Sequence, residues 1–362
     1  MDIYIYESTE GGYLHLLGVT DRTVNFSVER LLCGGDKLKA VFVSGESSER
    51  LIRSERIIEI PEVFSGLITG IKKPADGGSI EVEAVSFSGL LSRRVLTEYE
   101  DGDSFMTVVE RNCGALADEK RAFPNTFVDK SADCLFTIPH EYLKRSLSMA
   151  AAAVIEKGFR ICSEIVHEDD GARVRLYGRY TVDRSVGSGT ELPVILSSEY
   201  DTLGRQNYSS SETGTVSSAL IYTKIGSGAG SYEWSDIFGE SSGFGRCESS
   251  FMVSPIVTYS FELDGEMIVY KAQLDEEAVR EAAEELFAVK VSPPNEVISA
   301  SLGGGAVTAM RSGEFTVGDM VTLYPDENGS NSARRITKII ERYENGGLTM
   351  TVFLDRLKRE EI

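Results

Sequence analysis

Histidine, tryptophan and proline are scarce in this chain: three, one and nine among 362 residues. His15, His140 and His167 stand far apart, so no pair has the spacing of a zinc-binding H-E-x-x-H helix. No G-x-S-x-G elbow occurs, and nothing else marks an activated serine. The five cysteines (Cys33, Cys113, Cys134, Cys162 and Cys247) are odd in number and widely spaced. With no C-x-x-C pair among them, a dithiol redox centre and a cysteine-held metal are both excluded, and free, buried thiols are expected. No apolar run approaches the roughly 20 residues that a membrane-spanning helix needs. The start, MDIYIYESTEGGYLHLL, has neither the basic nor the long apolar region of a signal peptide. It reads as strand, turn, strand, and the expectation is synthesis in the cytoplasm without a leader.

Positive charge is also in short supply. Against 57 acidic residues there are 37 basic ones, a net charge of -20. Such a surface repels nucleic acid and anionic membranes at long range, so neither is expected as a specific partner. The basic doublets Lys72-Lys73, Arg93-Arg94 and Arg334-Arg335 are isolated and lack neighbouring aromatic platforms. They read as solvated strand ends or as ion pairs between subunits. The acidic run His167-Glu168-Asp169-Asp170-Gly171 lacks the alternating ligands of a calcium loop and reads as a hairpin turn. Gly226-Ser227-Gly228-Ala229-Gly230 lacks the Lys-Ser/Thr of a phosphate loop. No catalytic residue, cofactor or metal is assigned.

What the chain does have is period-2 alternation with hairpin turn chemistry. Asp76-Gly77, Asp101-Gly102, Asp170-Gly171, Asp264-Gly265, Asn328-Gly329 and Asn345-Gly346 are hairpin dipeptides. Strands are expected over 63–71, 79–87, 172–182, 320–324, 335–343 and 348–354. Helices are expected over 105–116, over 139–157 (with Pro139 early and Gly158 as the stop), and over 275–290 with Asp275 as N-cap. The Gly/Ser-rich stretch 226–245 carries Tyr232, Trp234, Ile237 and Phe238, too many large apolar residues for a plain linker. It reads as an ordered excursion or contact loop, and 300–305 as a second flexible spot. The fold class is mainly β with a few helices (α+β), multidomain, in small barrels or sandwiches. The expected divisions are an N-terminal β-barrel at 1–104, a helix-containing domain at 105–200, a β and insert region with a C-terminal helix at 201–295, and strands completing a barrel at 296–362.

Several segments recur in a particular order: PEVFSGLITG (61–70), SIEVEAVSFSGLLSRR (79–94), LSSEYDTL (196–203), GRCE (245–248), and FTVGDMV (315–321) leading to Arg335-Ile336-Thr337. Over about residues 1–357 the chain resembles the hub family at the tip of siphophage tails and tail-derived particles. Where that family often has a second Arg before the Glu of its G-x-R-R-E segment, Cys247 stands here. The resemblance implies a homotrimeric ring of two small β-barrels per subunit that caps the tail tube and surrounds the DNA path. Fibres or a needle would dock on its far side. It places the protein in a virion tail or tail-like particle, with itself, tube and distal tail proteins, and fibre or needle proteins as partners. The residues expected at subunit or partner contacts are Arg93, Arg94, Glu199, Tyr200, Asp201, Tyr232, Trp234, Phe238 and Arg246. If the ring surrounds DNA, carboxylates facing its lumen would let phosphates slide past. Two other readings stay open at this point. One is a tail-associated cell-wall hydrolase, and the other a carbohydrate- or receptor-binding module that stacks sugars on Tyr232, Trp234 and Phe238.

Overall fold

A computed structural model describes all residues except 11, 76, 101, 136–141, 190, 212–215, 226–231, 240–247, 265–266, 291–294, 326–330, 345 and 357–362. The chain divides into two compact units, Met1–Tyr208 with Ile298–Leu357, and Ser209–Val297 with Lys358–Ile362. Segments 1–104 and 105–200, read separately from sequence, thus share one unit with the C-terminal strands.

The larger unit is organised by a 13-stranded sheet. Its principal path begins with strands Leu203–Ser211, Asn295–Leu302, Gly347–Arg356, Ser332–Glu344 and Thr23–Leu31. It continues through Lys37–Val43, Ser79–Val85, Phe64–Lys72, Ile57–Ile60 and Ile3–Glu7 to His15–Thr20. The expectation of mainly β structure with a few helices is met. The barrels are corrected, because the path is open at both ends and its sheets do not close. The reason lies in Ser332–Glu344, which passes from one neighbour to another instead of closing a small ring. Its first part pairs with Met320–Tyr324 (Met320 opposite Arg335) and its second with Thr23–Leu31 (Lys338 opposite Leu31). At the changeover the register with Gly347–Arg356 shifts between Ile336 and Lys338. The Thr337 carbonyl there accepts from the Leu32 amide at 3.0 Å. An extra residue in one strand reverses which face alternate side chains meet. Arg334 and Ile336 are buried before the bulge, and Ile339 and Glu341 after it.

One apolar core lies under strands from 3–84 and includes Ile5, Phe42, Ile58 and Ile80. A second gathers Leu196, Phe315, Leu323, Ile336, Ile339 and Val352. A third packs helices Phe105–Cys113 and Leu147–Glu156 and a 3-10 helix at Phe87–Arg93 against Phe159, Val174 and Leu176. Pro139 and His140 lie outside the described residues. The helix expected from 139 starts at Leu147, because Ser146 caps it by accepting from the Ser148 amide. The spot read as flexible at 300–305 instead ends strand Asn295–Leu302 and opens helix Gly304–Arg311.

In the smaller unit, Ser218–Ile225 pairs antiparallel with Tyr232–Phe238 and parallel with Glu248–Met252. Helix Glu276–Lys290 begins where the Asp275 carboxylate accepts from the Ala278 amide at 3.1 Å, as Asp275 predicts. Its Val279 and Ala283 are fully buried with Ala219, Ile221 and Trp234.

Gly303 seats the larger unit's Ser197–Leu203 turn. A Cβ there would lie 1.8 Å from the Asp201 carbonyl oxygen, which is backbone and cannot swing away. Gly303→Ala is expected to cost about 1–3 kcal/mol of unfolding free energy, as over-packing does, measured by urea denaturation.

Candidate functional site

The most concentrated polar chemistry lies where the changeover strand meets its neighbours. Arg30, half-buried, stands opposite Ile339 on the neighbouring strand, and a guanidinium partly withdrawn from water there needs partners. Its Nε donates to the Glu341 carboxylate, its Nη2 donates to the Val63 carbonyl at 2.9 Å, and its Nη1 lies 3.7 Å from Asp36. Burial works against the charged form of Arg30, but Glu341 and Asp36 outweigh it and hold its pKa above the ordinary value. The Tyr343 hydroxyl donates to the other Glu341 oxygen at 3.0 Å, while its ring stacks on Phe26 with centroids 4.2 Å apart. Arg160, which is buried, reaches Asp36 at 3.8 Å and donates to the Val317 carbonyl at 2.9 Å. Side chains more than 300 residues apart in sequence are thus tied into one network.

A cavity of about 390 Å³ opens beside this network, lined among others by Arg30, Asp36, Glu59, Glu62, Glu164 and Tyr177. Three of its four carboxylates are already held. Asp36 sits beside Arg30 and Arg160, and Glu59 accepts from the Tyr6 hydroxyl at 2.7 Å with His167 Nε2 at 3.0 Å. Glu164 accepts from Arg175 at 2.8 Å. Among the described residues no group of three or more His, Cys, Asp or Glu side chains is placed to hold a metal ion. The Cys113 thiol is buried, and burial pushes its pKa up to about 12, far from that of a reactive thiolate. The network is chemically suited to fixing strands against each other.

The residues expected at contacts scatter. Arg93 is exposed at the end of its 3-10 helix. Arg94 is half-buried, donating to the Arg121 carbonyl at 2.8 Å with its guanidinium 4.3 Å from the Phe123 ring centroid. Glu199, Tyr200 and Asp201 all project from the turn at 197–203. Inside that turn the Thr202 hydroxyl accepts from the Ser197 amide at 2.7 Å. Tyr200, 63% exposed, lies near Tyr324 with ring centroids 6.5 Å apart. In the smaller unit Trp234 is a core residue, and Phe238 packs 5.9 Å from Phe287, so neither is a free stacking surface. Tyr232 begins the strand Tyr232–Phe238, and Arg246 lies outside the described residues. Asp319, within the FTVGDMV segment, is fully buried. It accepts from the Val182 and Thr316 amides at 2.9 Å each. Arg30, Asp36, Arg160 and Glu341 went unnoticed in sequence because each sits in an ordinary alternating strand or turn.

Compared with solved structures, the chain matches a tail protein from Neisseria meningitidis with a TM-score of 0.52 at 12% identity, over 98% of this chain and 96% of that one. It matches a prophage tail protein from Listeria monocytogenes with a TM-score of 0.50 at 11% identity, over 99% and 96%. The fold is that of phage tail proteins. A chain of the Francisella PdpA–VgrG complex also matches, with a TM-score of 0.50 at 11% identity, and this chain spans 59% of its length. No protein-family model and no curated protein matches the sequence. At these identities the tail-protein fold is shared without close sequence kinship.

Two outcomes are expected from the buried network. Glu341→Ala leaves the half-buried Arg30 without its main partner and should cost about 1.5–3 kcal/mol in denaturant unfolding. Tyr343 supplies the second. Burial and then Glu341 push its pKa up to about 12, from an ordinary 10. A raised folded pKa contributes stability that is complete below the unfolded value and lost as pH climbs through the folded one. The urea midpoint should therefore fall between pH 10 and about 12, and fall less steeply in Tyr343→Phe.

Proposed function

We propose that this chain is a structural, non-catalytic subunit of the tail tip of a bacteriophage or phage-tail-like particle. In this reading it forms a ring-shaped homotrimeric hub that joins the tail tube to distal fibres or a needle and surrounds the DNA path. The observation that carries the reading is end-to-end likeness. Two tail proteins, from different bacteria, align over nearly their whole length and nearly the whole of this chain. A fold shared only through one common module would align over a part.

The internal chemistry supports a structural part. Its buried charges are engaged in holding strands, and its buried thiol is held protonated. The burial of Trp234 removes the main support for a sugar-stacking module. The net charge of -20 fits a ring whose lumen repels passing phosphates. Exposed Arg93, Glu199 and Tyr200 are available for contacts between subunits or with tube and fibre proteins.

Light scattering on the purified protein tests the reading. A particle of three times 39.6 kDa is expected. A strict monomer at every concentration would overturn the self-assembling ring, and release of soluble fragments from peptidoglycan would overturn the non-catalytic role.

A further inference from the structure

The surface charge is uneven in a way the total conceals. Segments 93–97, 118–121 and 144–147 are laced together in the larger unit. The Leu147 amide donates to the Arg94 carbonyl, the Leu96 amide to the Arg145 carbonyl and the Lys144 amide to the Leu96 carbonyl, each at 2.8 Å. Arg94 Nε donates to the Arg121 carbonyl, and Arg121 returns bonds to the Val95 carbonyl and the Thr97 hydroxyl. This lacing collects Arg93, Arg94, Lys120, Arg121, Lys144 and Arg145 on one part of the surface.

Arg93, Lys120, Lys144 and Arg145 are exposed, and Arg94 and Arg121 are half-buried. None of the six forms an ion pair among the described residues, although Asp118 and Glu119 stand on the same segments and Glu98 directly follows one of them. Burial lowers the pKa of Arg94, and after a counteracting effect of Cys113, neighbouring Arg121 and Arg93 lower it further. The cations therefore crowd one another. Val95 and Met149, each 46% exposed, and Leu116, 57% exposed, lie on or beside these segments. A patch of Arg with exposed aliphatic side chains has the composition of a protein interface. It lacks the aromatic platforms of a single-strand groove.

The remainder of the chain is correspondingly more acidic, and one acidic turn is fully exposed. Glu168, Asp169 and Asp170 form the exposed tip of the hairpin Phe159–Glu168/Gly171–Tyr180, and none of them forms an ion pair among the described residues. Three adjacent carboxylates without an ion pair, at the exposed turn of a hairpin held in a three-stranded sheet, complement the patch in sign and in exposure.

Resting on the ring reading, we propose that the Arg93/Arg121/Arg145 patch of one copy receives the Glu168–Asp170 hairpin tip of the next. The charges exclude one arrangement. A basic patch cannot be its own complement, so a contact pressing it against itself is repulsive. In the proposed ring, patch against tip repeats in one direction as a head-to-tail contact, the kind that closes into rings.

Sedimentation velocity on the full chain, at about 0.05 M and about 0.5 M salt, tests this. Arg93→Glu/Arg145→Glu and, separately, Asp169→Lys/Asp170→Lys should each weaken low-salt self-association by roughly tenfold or more. Mixing the two variants should restore pairing between unlike copies, because the native tip of one meets the native patch of the other, without closing a full ring of three. Circular dichroism on both confirms that they fold. If the wild type assembles and either reversal leaves its association unchanged, this contact is overturned while the ring stands. A mixture that stays dissociated overturns it as well. A wild type that never associates overturns ring and contact together. Retention of a 5′-labelled DNA duplex by the wild type, lost in Arg93→Glu/Arg145→Glu, would reassign the patch to nucleic acid.

Discussion

The larger unit depends on one strand changing partners without breaking. Ser332–Glu344 keeps Gly347–Arg356 on one side throughout, while on the other it exchanges Met320–Tyr324 for Thr23–Leu31. The bulge at Thr337 makes the exchange possible, since it lets the strand bury Ile336 before the changeover and Ile339 after it. Without the extra residue, strict alternation would turn one of the two sets toward water. The two cores that flank this strand are drawn from residues 3–84 and from residues 196–354, so the strand also joins the beginning of the chain to its end.

The buried charges at that changeover are better understood as specifying an arrangement than as adding stability. An apolar replacement of the same volume is often as stable as a buried ion pair, but it tolerates neighbouring registers equally well. Arg30 does not. It needs Glu341 on the changeover strand, Asp36 in the following turn and the Val63 carbonyl together, and a shift of one residue would remove at least one of them. Arg160 adds the same demand from the hairpin that begins at Phe159, through Asp36 and the Val317 carbonyl. Adjacent sheets and connections are thereby held to a single register.

How much of this was legible in the sequence follows from the range of each interaction. Hairpins such as Gly171–Tyr180 on Phe159–Glu168 declare themselves through local alternation and an Asp-Gly turn. The helix capped by Asp275 declares itself through its first turn of acids. The helix expected at 139–157 was placed too early, because an apolar periodicity says nothing of where a serine caps. The barrels were inferred from the number of short strands, and that number cannot tell a closed sheet from one whose strands exchange partners through a bulge. Trp234 looked like a ligand platform because it sits in a glycine-rich stretch, yet its strand pairs with Ser218–Ile225 and turns the indole into the core. The Arg30 network left no local signal at all, since its partners are separated by up to 311 positions. The order of the segments, more than any one of them, carried the correct fold.

Net charge misleads when it is taken as a uniform property. A chain at -20 should disperse its copies, and self-repulsion of that size opposes any ring. Assembly then requires that repulsion be overcome at defined contacts, and a small surplus of cations is most effective when it is concentrated and left unpaired within the subunit. Arg175, Arg111 and Lys130 are consumed by their own carboxylates, whereas the six cations around Val95 are not. In the proposed ring, the same excess of acid would keep free subunits apart and give such a patch its selectivity, because most other approaches bring carboxylate against carboxylate. On that reading acidity and a localised basic surface are parts of one device, in which the first suppresses indiscriminate association and the second favours a single orientation.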